Sequence, residues 1–158
     1  MPGIVIRTYE PRDHDRVWAL HREGVADTRS GYPDMDNSSY EEDLRNIERD
    51  YLSPGSNFWV AEVDRRLVGM VAIQRIDNQT GRLRRMRVTG AWRRKGVATD
   101  LLATAEDFCR DMGYKRIILD TTQDQAAAHA LYEKSGFVRT GDRLIGVVPA
   151  VDYAKELS

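Results

Sequence analysis

Apolar and polar residues alternate from Ile4 to Tyr9, a period of two that predicts a first strand. Pro11 and Asp13 then open a helix with Val17, Leu20, His21 and Gly24 on one face. A loop rich in glycine, proline and acidic residues follows from Thr28 to Asn37. Ser38 and Ser39 each precede a glutamate by three residues, Glu41 and Glu42, and either pairing makes a capping box. The helix it starts carries an apolar stripe of Tyr40, Leu44, Ile47 and Tyr51 and ends at Ser53-Pro54-Gly55. Phe58 to Val63 and Leu67 to Ile76 read as strands joined at Asp64-Arg65-Arg66 in a hairpin. Leu83 to Val88 is the next strand. Val97, Leu101, Ala105, Phe108 and Met112 mark one side of a long helix stopped by Gly113. Lys115 to Asp120 is a short strand, and Asp124 to Ser135 is a helix stopped by Gly136. Phe137 to Val148 and Val151 to Leu157 close the chain as strands around Pro149.

The order β-α-α-β-β-β-α-β-α-β-β predicts an α/β fold. The strand–helix–strand unit in its middle implies a parallel crossover, and the flanking hairpins imply antiparallel pairs. A mixed, mostly antiparallel sheet of about seven strands with helices on both faces follows. No linker or repeat divides residues 1–158, so one domain is expected. In the fourth strand, strict alternation puts Leu83 on the opposite face from Met86 and Val88. A β-bulge near Arg84-Arg85 restores a common face. It also bends the strand from its parallel neighbour, which predicts a V-shaped split between strands 4 and 5. Without a bulge, Leu83 faces a second layer.

Composition is that of an ordinary globular protein, and the formal net charge of -1 gives no overall attraction to nucleic acid or membrane. Charge is locally uneven. Arg82, Arg84, Arg85, Arg87, Arg93, Arg94 and Lys95 crowd one stretch that has no acidic residue. That stretch reads strand, turn, basic cluster, then Gly96 at the start of a helix. Unpaired N–H groups and the positive dipole end at a helix N-terminus favour phosphate, and glycine lets a ligand approach the backbone. A phosphorylated cofactor is the expectation. Cys109 is the only cysteine and falls in an apolar helical pattern, so a buried, inert thiol is expected, with no disulfide and no cysteine-rich metal site. No apolar run is long enough to cross a bilayer and no leader pattern is visible, which points to the cytoplasm.

Arg93-Arg94-Lys95-Gly96-Val97-Ala98, preceded by Trp92 and followed by Leu101-Leu102, resembles the phosphate motif of the GNAT superfamily of acetyl-CoA-dependent N-acetyltransferases. Met86-Arg87-Val88 resembles that family's strand whose backbone pairs with the pantetheine arm. Ala128 to Phe137 resembles its A-x-x-L-Y-E-x-x-G-F helix, and Tyr153 to Leu157 its last strand. The resemblance therefore runs along essentially the whole chain. It implies acetyl-CoA as donor, held by Met86, Arg87, Val88, Arg93, Arg94, Lys95, Gly96, Val97, Ala98 and Thr99, and implies no metal. Two positions depart from the family pattern. Gln125, after Thr121-Thr122, stands where many members have asparagine, and can still bond the pantetheine amides. Arg82 stands where many have a glutamate base, so no general base is assigned.

Tyr132, which the resemblance places beside the sulfur, is the candidate general acid, since a phenol near ~10 can protonate a thiolate near ~8.5. Core packing is the structural alternative. Backbone N–H groups near Val88 are candidates to polarise the thioester carbonyl. Arg84, Arg85 and Arg87 either hold an acidic substrate or pair with carboxylates. His14, His21 and His129 read as structural or surface residues. Glu62, Asp77 and Asp120 are remote candidates for a base, and Tyr32, Asp34 and Asp36 for acceptor binding in the long loop.

The expected function is acetyl transfer from acetyl-CoA to a primary amine of a small molecule or peptide, by direct attack in a ternary complex. A non-catalytic acyl-CoA sensor on the same fold is the alternative. The partner is an amine substrate, not nucleic acid or membrane, and a homodimer is left open.

Overall fold

The computed structural model describes residues 3–26, 41–123, 125–145 and 147–158. In chain order the strands are β1 (Val5–Thr8), β2 (Asn57–Val63), β3 (Arg66–Arg75), β4 (Thr80–Val88), β5 (Arg116–Thr122), β6 (Val138–Ile145) and β7 (Val148–Glu156). The helices are α1 (His14–Ala26), α2 (Glu42–Arg45), α3 (Ile47–Tyr51), α4 (Val97–Asp111) and α5 (Ala126–Lys134). Thr28 to Asn37 with Tyr32, Asp34 and Asp36, the caps Ser38 and Ser39, Tyr40, and Asp124 at the predicted start of α5 lie outside the described residues.

All seven strands form one sheet in the order β1-β2-β3-β4-β5-β7-β6. Every neighbouring pair is antiparallel except β4 and β5, the product of the predicted crossover through α4. The β2–β3 hairpin turns through Asp64 and Arg65, both at positive φ (48° and 66°), the primed geometry that matches strand twist.

Central strands are apolar on both faces because helices cover both. Trp59, Ala61, Val71 and Ile73 join Val97, Leu101, Ala105 and Cys109 of α4 in one core. Phe58, Val60, Met70 and Ala72 join Val17, Trp18 and Leu20 of α1 and Leu44, Ile47 and Tyr51 of α2 and α3 in the other. Gly69 lets α4 lie close, since a Cβ there would stand 2.9 Å from Leu101 Cδ1.

The sheet splits where the apolar spacing predicted it. Met70 pairs with Arg87 and Ala72 with Arg84, so Val71 on β3 faces both Arg85 and Met86 on β4. This is a β-bulge, and Arg85 takes φ 60° within it. The extra residue puts Met86 and Val88 against the same core as Leu83. β4 leaves β5 just before the bulge. Only Thr80–Arg82 pairs with Arg116–Ile118, while the rest of β5 stays with β7.

Three boundaries differ from the sequence reading. The second predicted helix is broken at Asn46 (φ -137°), whose Nδ2 bonds the Glu42 carbonyl at 3.0 Å and so competes with the helical backbone. Met112 is exposed, because the buried stripe of α4 runs through Leu102 and Cys109 instead. Pro149 lies inside β7, near its start, where β5 pairing begins only at Ala150 and no ladder donor is lost on that side. Among the described residues no helix is long and apolar enough to cross a membrane.

Leu101 is fully buried between α4 and β3. Leu101→Ala is expected to lower unfolding stability by about 2–5 kcal/mol in urea titration, because the rigid strands beneath it cannot collapse into the space.

Candidate active site

Helix α4 begins at Gly96, which stands at φ 85° and has no side-chain cap. A Cβ placed there would meet nothing within 4 Å, so the approach to the first-turn N–H groups is open. Arg94 also takes positive φ (64°), folding the basic turn back over the helix start. Arg93 Nε donates to the Val88 carbonyl at 3.3 Å and ties this turn to the strand end. Lys95 points aside, its ammonium 5.2 Å from the centre of the Trp92 ring. The site thus fits a phosphorylated ligand on its backbone, and the arginines supply charge around it.

Thr89 N donates to Val68 O on β3. Strand alternation therefore turns the Val88 N–H the other way, into the split. From Leu83 onward that edge of β4 has no strand partner. A cleft of about 560 Å³ runs along it, walled by Met86, Arg87 and Val88, by Val97, Ala98 and Thr99 of α4, and by Gln125 and Leu131 at α5. That volume suits a cofactor-sized ligand.

A second cavity opens deeper in the split. Arg82, Arg84, Arg85, Arg87 and Arg143 line it with Asp120 and Tyr132. Met86, Arg87, Gln125 and Ala128 line both cavities, so the two are continuous. Gln125 Nε2 bonds Thr122 Oγ1 at 2.9 Å, which fixes its amide where the two meet.

The five arginines are held differently. Arg85 makes two hydrogen bonds to Asp43 (2.6 and 3.0 Å), with Arg84 3.6 Å from the same carboxylate. Tyr51 donates to Asp43 as well, at 2.5 Å. The two arginines and that hydroxyl hold the Asp43 carboxyl down at about 2 although burial pushes it up. Arg82 and Arg143 meet on Asp120, and Arg143 reaches Asp152 at 2.9 Å. Arg87 crosses beneath Gly24 of α1.

Tyr132 is 4% exposed, its ring packed edgewise on Phe137 at 5.7 Å and facing the arginine-lined cavity. Burial raises its phenol well above the ordinary value, while the charge of Arg87 opposes that rise. The phenol therefore keeps its proton.

His14 is exposed, while His21 and His129 are held by neighbouring groups. His129 bonds Tyr153 OH at 2.8 Å and the Thr122 carbonyl at 3.0 Å, tying α5 to β5 and β7. His21 is buried 3.2 Å from Glu41, and burial with the charges of Arg85 and Arg87 pushes it down to about 3, so it is neutral. Glu62 pairs with Arg7 at the far side of the sheet. Asp77 accepts from Gln79 N in the β3–β4 turn. Of the three carboxylates considered, only Asp120 lines the cavity. Sequence reasoning missed Arg143, Asp43 and Gly24. Nothing local marks the first two. A glycine within a helix, costly against alanine, was the available signal for the third.

The Acetyltransferase (GNAT) family model matches residues 17–137, from the first helix to the end of the tyrosine helix. The chain belongs to the GNAT acetyltransferase family. A GNAT acetyltransferase from Staphylococcus aureus superposes with a TM-score of 0.88 at 24% identity, over 99% of this chain and all of that one. The PaiA N-acetyltransferase of Thermoplasma acidophilum, solved with coenzyme A, gives 0.80 at 22% identity, over 98% of this chain and 99% of that one. Both likenesses concern the fold. Among curated proteins, human N-acetyltransferase 8 is 43% identical over 105 residues, 63% of this chain and 46% of that protein. Zebrafish (Danio rerio) N-acetylaspartate synthetase is 43% identical over 102 residues, 63% of this chain and 36% of that protein. The chain thus spans less than half the length of these curated relatives.

Asp43 pins the bulge that shapes this GNAT site, and its effect on acid stability has a definite sign. Its carboxyl sits at about 2 in the folded chain against 3.8 ordinarily, so folding favours the charged form. That contribution, about 2 kcal/mol, is complete above pH ~5 and is lost as pH falls from ~4 toward ~2. Asp43→Asn is expected to unfold more easily at neutral pH, and to lose less further stability than wild type between pH 5 and 2, read by urea titration at each pH.

Proposed function

We propose that residues 1–158 act as one N-acetyltransferase domain, moving an acetyl group from acetyl-CoA to the amine of an acceptor that carries a carboxylate. One observation carries this reading. The open helix N-terminus of the cofactor cleft continues, past Arg87, into a cavity that, among the described residues, is lined by five arginines and one carboxylate. Such a wall favours an anionic acceptor. The name N-acetylaspartate synthetase, borne by several relatives, fits an amine with carboxylates.

Gly96, Val97, Ala98 and Thr99 offer backbone N–H groups to the pyrophosphate, with Arg93 and Arg94 beside it. Met86 to Val88 present the open strand edge to the pantetheine amides, and Gln125 reaches them from α5. The Val88 N–H stabilises the carbonyl oxygen as negative charge develops there. The acceptor nitrogen forms its bond to the carbonyl carbon as the carbon–sulfur bond breaks. The amine sheds a proton to water, Tyr132 gives one to the sulfur, and water returns a proton to the Tyr132 phenolate, so the cycle closes with no net proton change. Burial raises the phenol, but a thiolate leaving into the same buried space is made more basic by the same desolvation, so the transfer stays feasible. Direct attack is favoured over an acyl-enzyme because Cys109, in the α4 core, is fully buried and its thiol is pushed up to about 12.

Tyr132→Phe is expected to bind acetyl-CoA within about twofold of wild type by calorimetry and to turn over roughly 100-fold more slowly. Unchanged turnover removes Tyr132 as the acid. A chain that binds acetyl-CoA yet acetylates no amine in a screen of amino acids, aminoglycosides and peptides is a sensor, and overturns the enzymatic reading.

A further inference from the structure

The last turn of α1 carries a glycine at position 24, inside a helix where alanine is the more stable residue. The reason lies across the site. A Cβ on Gly24 would stand 2.5 Å from Cδ of Arg87, 2.6 Å from Nε and 3.1 Å from Cζ. The Arg87 side chain therefore lies flat on the bare face of α1, and only glycine leaves that channel. The helix gives up stability to admit a guanidinium.

Where that guanidinium sits is informative. Arg87 lines both cavities, is next in sequence to the Val88 N–H that faces the split, and acts electrostatically on Tyr132. Arg82, Arg84, Arg85 and Arg143 line the arginine-rich cavity but not the donor cleft. Neutral His21, 3.2 Å from Glu41, is near enough to feel the charge of Arg87. Arg87 is thus the arginine at the boundary between donor and acceptor space, beside the place where the bond is made.

We infer that Gly24 and Arg87 together form the anchor for the acceptor's carboxylate, and that this anchor selects amines α to a carboxylate. Arg87 grips the carboxylate in a planar fork, and the α-amine then falls beside the carbonyl carbon. Gly24 is a positioning residue that acts only through Arg87. The inference rests on the carboxylate-acceptor reading above and assigns its decisive contact.

The atoms in the way of a Cβ belong to the far part of a flexible side chain. Gly24→Ala should therefore fold normally, with Tm equal to or above wild type, while moving the guanidinium. The assay follows coenzyme A thiol release with L-amino acids, including L-aspartate, and with the matching α-carboxamides, which keep the amine and lose the charge. Wild type is expected to favour the best acid over its amide by about 100-fold in kcat/KM. Gly24→Ala should raise KM for that acid tenfold or more, with KM for acetyl-CoA within twofold. Arg87→Met should abolish the preference for acid over amide. An unchanged acid KM in Gly24→Ala, or an Arg87→Met variant that loses acid and amide equally, overturns the anchor while leaving the carboxylate reading standing. A wild type that acetylates amines without preferring acid over amide overturns that reading and the anchor with it.

Discussion

One inserted residue in β4 determines the rest of the site. The bulge at Arg85 and Met86 resets side-chain alternation, so that Leu83, Met86 and Val88 share a core face. The same insertion bends the strand, and pairing with β5 stops after Arg82. A sheet that stayed closed here would spend the β4 edge on β5 and leave no cleft. The bulge has a local cost, since Arg85 holds a left-handed backbone conformation that disfavours non-glycine residues by about 1–2 kcal/mol. Its two hydrogen bonds to the buried Asp43 carboxylate offset that cost and fix the strand against the α2 side of the molecule. The interaction that appears electrostatic is therefore the one that shapes the backbone.

How much of this was legible depended on the distance over which the signal travelled. The bulge was readable because it follows from three apolar positions within six residues. The hairpin, the phosphate turn and the helix stops are equally local, and each lies where the chain pattern placed it, within a residue or two. The break at Asn46 escaped because an apolar stripe cannot report a side chain competing for a carbonyl. Arg143 escaped for a topological reason. It sits on β6, the sheet's edge, and reaches Asp120 only because β7 lies between β5 and β6. Asp43 and Arg85 meet across forty-two positions, and no residue between them marks the pairing. Arg84, Arg85 and Arg87 looked equivalent in sequence, and the fold separates them by position: Arg84 and Arg85 meet Asp43, and Arg87 reaches both cavities.

That separation resolves an electrostatic difficulty. Five guanidinium groups around one cavity repel one another, and burying them would be costly if each were left to itself. Asp43 takes up Arg85 and part of Arg84, while Asp120 and Asp152 take up Arg82 and Arg143. These pairs also bind strands together: Asp43 joins α2 to β4, and Asp120 with Arg82 bridges the two arms of the split just beyond their last paired residues. The arginines thus stabilise the opening whose wall they form, and the cavity stays polarised toward anions.

Helix α1 couples the two halves of the site. Val17, Trp18 and Leu20 fix it over β3, alongside β4, within an apolar core, so its register along the sheet is set by packing. Its last turn then makes two contacts of another kind. Glu23 accepts from Thr89 Oγ1 at 3.0 Å, at the point where β4 enters the phosphate turn. Gly24, one residue on, lies over Arg87. Consecutive residues of one helix therefore bear on the strand end that enters the basic turn and on the arginine that lines both cavities. A rigid helix anchored at its apolar base cannot shift one contact without shifting the other. In the proposed site the relative placement of donor and acceptor is consequently set by the packing of Val17, Trp18 and Leu20, about one to two turns along α1 from Gly24, and substitutions there should disturb both binding steps together even though none of the three lines either cavity.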